Sequence, residues 1–161
     1  MATATVDSIA DIITKRLDER LEKEANAKSA AENLQKAAAQ LKEAFSDGLE
    51  ALIEQGAYRG TYLCSLVVKN APQSFNLGGI HTEISLPVFT ICLGDDSYQI
   101  SPQVDIEKHI ISYKVSDRSL FFICHARHPI AVELMTAPTN GRPFTASRTL
   151  EFVGMLLTGK G

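Results

Sequence analysis

The sequence predicts an α+β protein: a long N-terminal amphipathic helix, suited to a coiled-coil or bundle stalk, followed by an antiparallel β-sandwich or barrel. Three observations predict it. All ten glycines and all six prolines lie at or beyond Gly48. Thirteen of the first 58 residues are alanine. Beyond that point the chain turns to Val, Ile, Phe, Thr, Gly and Pro, the composition of strands and turns. The boundary is therefore drawn between residues 1–57, a helical oligomerisation or anchoring segment, and residues 58–161, an antiparallel β-domain.

The helix is read from its spacing. Apolar residues recur at Val6, Ile9, Ile13, Leu17, Leu21 and Ala25, then at Ala31, Leu34, Ala38, Leu41, Phe45, Leu49 and Leu52. Steps of three and four place them on one side of a helix. Acid-before-base pairs at i,i+4, such as Asp11–Lys15 and Glu19–Lys23, each add about 0.2–0.5 kcal/mol. Thr5 or Ser8 can cap the start, and Gly56 can end it. Ser29 with Glu32, and Asp47 with Glu50 beside Gly48, have capping-box spacing and mark two candidate breaks. The expected form is one helix to about Phe45 with a short second helix after it.

A helix of about 40 residues is about 60 Å long. The roughly 100 residues that follow cannot cover all of its apolar face, and the nearest available cover is another copy of the same helix. Ile9, Ile13, Leu17, Leu21, Leu34, Leu41 and Phe45 are the expected oligomerisation residues. The irregular, alanine-rich seam does not specify a dimer, and a trimer is the expected assembly. The competing expectation is a helix laid across its own β-domain.

The second part reads as seven or so short strands with turns between them. Residues 60–69 open as a strand and 70–79 read as a long turn. Residues 80–94 alternate, with a bulge or edge expected at Pro87. A short strand precedes Pro102. The segments 105–115 and 120–130 flank the turn "SDRS", 139–143 reads as a turn, and "RTLEFVGMLL" closes the domain as a strand.

Within 120–130, "CHARH" brings a cysteine and two histidines into an apolar run. Pairing Val115 with Leu120 sets Tyr113 opposite Phe122 and Ile111 opposite Cys124, so Cys124 faces a core and His125 the other face. Cys124 and His128 share a face but lie about 13 Å apart along a strand, too far for a thiol–imidazole dyad. The same register gathers Glu107, His109 and His128 at one end, a set that can hold zinc, although a rim hydrogen bond is the plainer reading. Arg142 and Arg148, beside hydroxyls in "TNGRPFTASR", form a candidate anion contact. "NLGGIH" precedes a strand and lacks the phosphate-loop pattern.

The net charge is −3, which argues against a nucleic-acid binder. Three cysteines without CxxC spacing suggest reduced, buried thiols. The N-terminus lacks the pattern of a cleaved signal, and no apolar run is long enough to span a membrane. The chain is therefore expected inside the cell or assembled into a virion. No cofactor is implied and no catalytic constellation stands out. The leading expectation is a non-enzymatic, self-assembling structural or attachment protein, such as a virion fibre, decoration or adaptor component, in which a helical stalk assembles and a β-domain presents a binding surface. The alternative is an intracellular binding module that holds a small ligand or peptide on the β-domain or between helix and sheet.

Overall fold

A computed structural model describes residues 5–137 and 140–159. Helix α1 runs without a break from Val6 to Tyr58, 53 residues, about 80 Å. It starts on a reciprocal cap: the Ser8 amide donates to Thr5 Oγ1 at 3.1 Å and the Thr5 amide donates to Ser8 Oγ at 2.9 Å, which satisfies two of the helix's orphan donors. It ends at Arg59, with the left-handed Gly60 following.

Seven strands follow: β1 (Cys64–Leu77), β2 (Ile80–Leu93), β3 (Asp96–Asp105), β4 (Ile110–Val115), β5 (Phe121–His125), β6 (Ala131–Ala137) and β7 (Asn140–Pro143). They form one antiparallel meander in sequence order, β1 to β7. The sheet is not closed, and α1 takes the place of the second layer expected of a sandwich. Helix α2 (Thr149–Thr158) completes the fold.

The lower half of α1 lies on one face of the sheet. Its buried positions are Ala27, Ala30, Ala31, Leu34, Ala37, Ala38, Leu41, Ala44, Phe45 and Leu49, recurring in steps of three and four. From Ala30 onward they join Phe75, Ile84, Leu86, Phe89, Ile91, Ile100, Ile111, Tyr113, Phe122, Cys124 and Val132 from the sheet in one core. The composition boundary near residue 58 is thus the end of the helix, and the core runs across it. Of the expected oligomerisation residues, Leu34, Leu41 and Phe45 belong to this core and are fully buried within their own chain.

Phe45 is at its centre. Its ring meets Phe89 at 5.1 Å, Phe122 at 5.3 Å, Phe144 at 5.7 Å and Phe152 at 5.9 Å, the first three edge-on. Edge-on pairs add about 0.5–1.5 kcal/mol each beyond the area they bury.

Several local expectations are corrected. Residues 70–77 are not a turn but the second half of β1, paired residue for residue with β2 from Ala71↔Leu86 to Leu77↔Ile80. The turn itself is Gly78–Gly79, both at positive φ, a conformation that only glycine adopts without strain. On the paired strands the buried face slips by one residue, after Val68 on β1 and after Leu86 on β2. Asn70↔Pro87 lies in this slip, so Pro87 marks a change of face without a bulge in the ladder. Strand β3 runs on through Pro102, which pairs with Tyr113. Asn140–Pro143 is a strand, not a turn; Thr139 lies outside the described residues. "RTLEFVGMLL" is helical, and its buried Thr149, Phe152, Val153 and Leu156 keep i, i+3, i+4, i+7 spacing.

Neither candidate break in α1 exists, and Gly48 has another role. A Cβ there would fall 2.2 Å from Thr149 Oγ1 and 2.6 Å from the Ala146 carbonyl. Its absence lets Thr149 Oγ1 donate to the Ala44 carbonyl at 3.0 Å in the buried helix–helix contact. Gly48→Ala, which in an open helix adds about 1 kcal/mol, is expected to destabilise by about 1–3 kcal/mol through overpacking. Urea denaturation reads the sign, and a more stable variant would contradict the close approach. Phe45→Ala is expected to cost about 3–5 kcal/mol by the same measurement.

Candidate functional site

Two surfaces stand out among the described residues once the core is assigned. The first is the upper part of α1. Every residue from Val6 to Asn26 is exposed. These 21 residues extend about 30 Å and carry Val6, Ile9, Ile12, Ile13, Leu17 and Leu21, each between 47% and 83% exposed. Ile9, Ile13, Leu17 and Leu21 are thus the expected oligomerisation residues that the chain leaves uncovered. Six acidic and four basic side chains share the arm, with Arg20 and Glu24 paired at 3.1 Å. No helix among the described residues is long and apolar enough to cross a membrane.

The second is a groove of about 510 Å³ where the arm leaves the sheet, walled by Lys23, Asn26, Ser29, Ala30 and Asn33 on α1, Leu77 and Gly78 at the β1–β2 tip, His109, and Ala126, Arg127 and His128 after β5. Lys23 forms the junction, with its side-chain carbons 3.6–4.0 Å from the Cβ position of Gly78.

The β4–β5 hairpin that positions this groove has the expected register: Ile111↔Cys124 and Tyr113↔Phe122 are partners, and the Ala126 amide donates to the His109 carbonyl at 2.8 Å. His109 sits at φ 53° in the turn before β4. Burial, and then the neighbouring Arg127 guanidinium, push His109 below its ordinary value, which favours the neutral ring.

The expected metal set does not assemble. His109 and His128 line the groove, but Glu107 is not on its wall, because residues 106–109 turn instead of extending the ladder. Among the described residues no group of three or more His, Cys, Asp or Glu side chains is gathered to hold a metal ion. Of the candidate anion contact, Arg142 lies on β7 and Arg148 at the N-cap of α2. Arg148 donates to the Pro143 carbonyl at 3.0 Å and approaches Glu151 at 3.7 Å, while Arg142 is an exposed β7 residue opposite Leu134.

The sequence reading names Lys23 only as the partner of Glu19 and gives no site role to Asn26, Asn33 or Arg127. A signal was present on the helix: Lys23, Asn26 and Asn33 keep i, i+3, i+10 spacing, polar side chains along the edge of the apolar stripe. Arg127 is brought to it only by the sheet.

Cys124 is fully buried, and burial pushes its thiol far up. His125 is on the opposite face, with Nε2 3.4 Å from Glu133 Oε2 but outside hydrogen-bond geometry. Comparison with family models, curated protein sequences and solved structures finds no match for the chain. Because the thiolate is the reactive form, Cys124 is expected to resist alkylation at pH 8 in the native protein and to react only in denaturant. Cys124→Ser should cost about 1–3 kcal/mol from burying a hydroxyl. Rapid native labelling at Cys124, read by peptide mass spectrometry, would contradict its place in the core.

Proposed function

We propose that the protein is a non-enzymatic, self-assembling structural or attachment component, in which the α1 arm joins copies of the chain and the sheet presents a surface. The observation that carries this is the uncovered stripe on Val6–Asn26. Most helical stability in proteins comes from packing an amphipathic face, and the apolar side of the arm is stabilised by cover. Its chemistry favours a second copy over other covers. The arm is mildly acidic and carries both signs of charge, whereas helices that lie on anionic membranes concentrate Lys and Arg on the polar face. Mixed charges flanking an Ile/Leu stripe suit association of like with like. The architecture suits a fibre, decoration or adaptor component, with three copies as the working assembly.

Light scattering on the full chain at micromolar concentration tests the proposal; a compact monomer would sink it. Leu17→Asp is expected to disperse the assembly while the melting of the helix–sheet core stays unchanged. Burying Leu17 contributes about 1.5–3 kcal/mol per copy, so its loss should weaken association by about tenfold or more.

A further inference from the structure

The arm does not account for the groove below it. Four of its wall residues are basic or imidazole-bearing: Lys23, His109, Arg127 and His128. They come from three separate parts of the chain, and Asn26, Ser29 and Asn33 add amides and a hydroxyl. Among the described residues no carboxylate lines the groove, although acids outnumber bases in the chain by 19 to 16. None of the ion pairs formed among the described residues involves Lys23, Arg127, His109 or His128.

We infer that this groove binds a small phosphate monoester. A guanidinium, an ammonium and two imidazoles arriving from different directions match a tetrahedral dianion, which accepts hydrogen bonds on several sides. A planar carboxylate would be served by one fork. Ala30, Leu77 and Ala126 supply an apolar wall for the organic part, and the volume falls within the usual range of small-molecule sites.

The test is titration calorimetry of the full chain with inorganic phosphate and with glycerol 3-phosphate, at matched ionic strength against sodium chloride and sodium acetate. Amide shift mapping by NMR runs alongside. Saturable binding of glycerol 3-phosphate is expected, tighter than that of acetate, with shifts centred on Asn26, Gly78 and Ala126. Losing one charge-assisted contact should weaken binding about tenfold or more. Lys23 and Arg127 are both exposed, so Lys23→Gln with Arg127→Gln should weaken binding at an unchanged melting temperature. Absence of saturable binding, equal binding by acetate, shifts centred elsewhere, or undiminished binding by the double variant would each overturn the inference. Leu17→Asp should bind as the native protein does, which separates this site from the assembly proposal.

Discussion

The contact between Phe45 and the phenylalanines of β2, β5, the segment after β7, and α2 fixes where the helix can lie. Phe89, Phe122, Phe144 and Phe152 reach one ring from four places in the chain, and Phe122 closes further on Phe144 at 4.8 Å and on Phe152 at 4.9 Å. A meander has no covalent device for curling over a helix. These aromatic contacts hold the late strands and α2 against it. α2 is secured at its other end as well: Arg118 Nη2 and Tyr98 Oη both donate to the Leu156 carbonyl, at 3.0 and 3.4 Å, and the guanidinium lies 5.7 Å from the Tyr98 ring centroid. A cation at the last turn satisfies a carbonyl the helix cannot.

With Phe45 placed, the rest of α1 follows from lengths. The chain reverses after Tyr58, held by the Thr61 amide donating to the Gly56 carbonyl at 2.8 Å, and β1 runs back along the helix. Its 14 residues cover about 46 Å, and the β1–β2 tip meets the helix at Lys23. The 33 helical steps from Lys23 to Gly56 rise about 50 Å. The two lengths agree, so the sheet gives out at Lys23 and everything N-terminal to it projects. Packing across the chain's own sheet, one of the two alternatives read from the sequence, holds for the lower half of the helix; self-association, the other, is the proposal for the upper half.

What was legible in the sequence is what depends on local periodicity. The β4–β5 register came from one turn and from alternation around it, because a slip by one residue would have turned Cys124 and Phe122 to the outer face. The unbroken helix was obscured by Gly48, which looked like a break because a glycine in a helix is locally unfavourable. Its reason lies 101 residues away at Thr149, where no local signal can show it. The final segment was misread for a related cause: "TLEFVGMLL" is short and apolar, and runs of that length carry strand and helix patterns equally well until a neighbour chooses a face. The metal set failed because Glu107 turned out of the ladder, a matter of where β4 begins, and strand ends are the least determined by alternation.

The groove and the arm meet at Lys23 but face differently. At 100° per residue, Leu17 and Leu21 lie about 120° and about 160° around the helix from Lys23, and still well away from Asn26 and Asn33. Ile9, Ile12 and Ile13 continue the line of the core stripe into solvent, and the four-residue steps from Ile13 to Leu21 then carry the apolar band around to the far side. A partner helix that follows this band winds away from the groove as it approaches the sheet. Association along the arm therefore leaves Arg127, His109 and His128 open, and the junction at Lys23 can serve both surfaces without either covering the other.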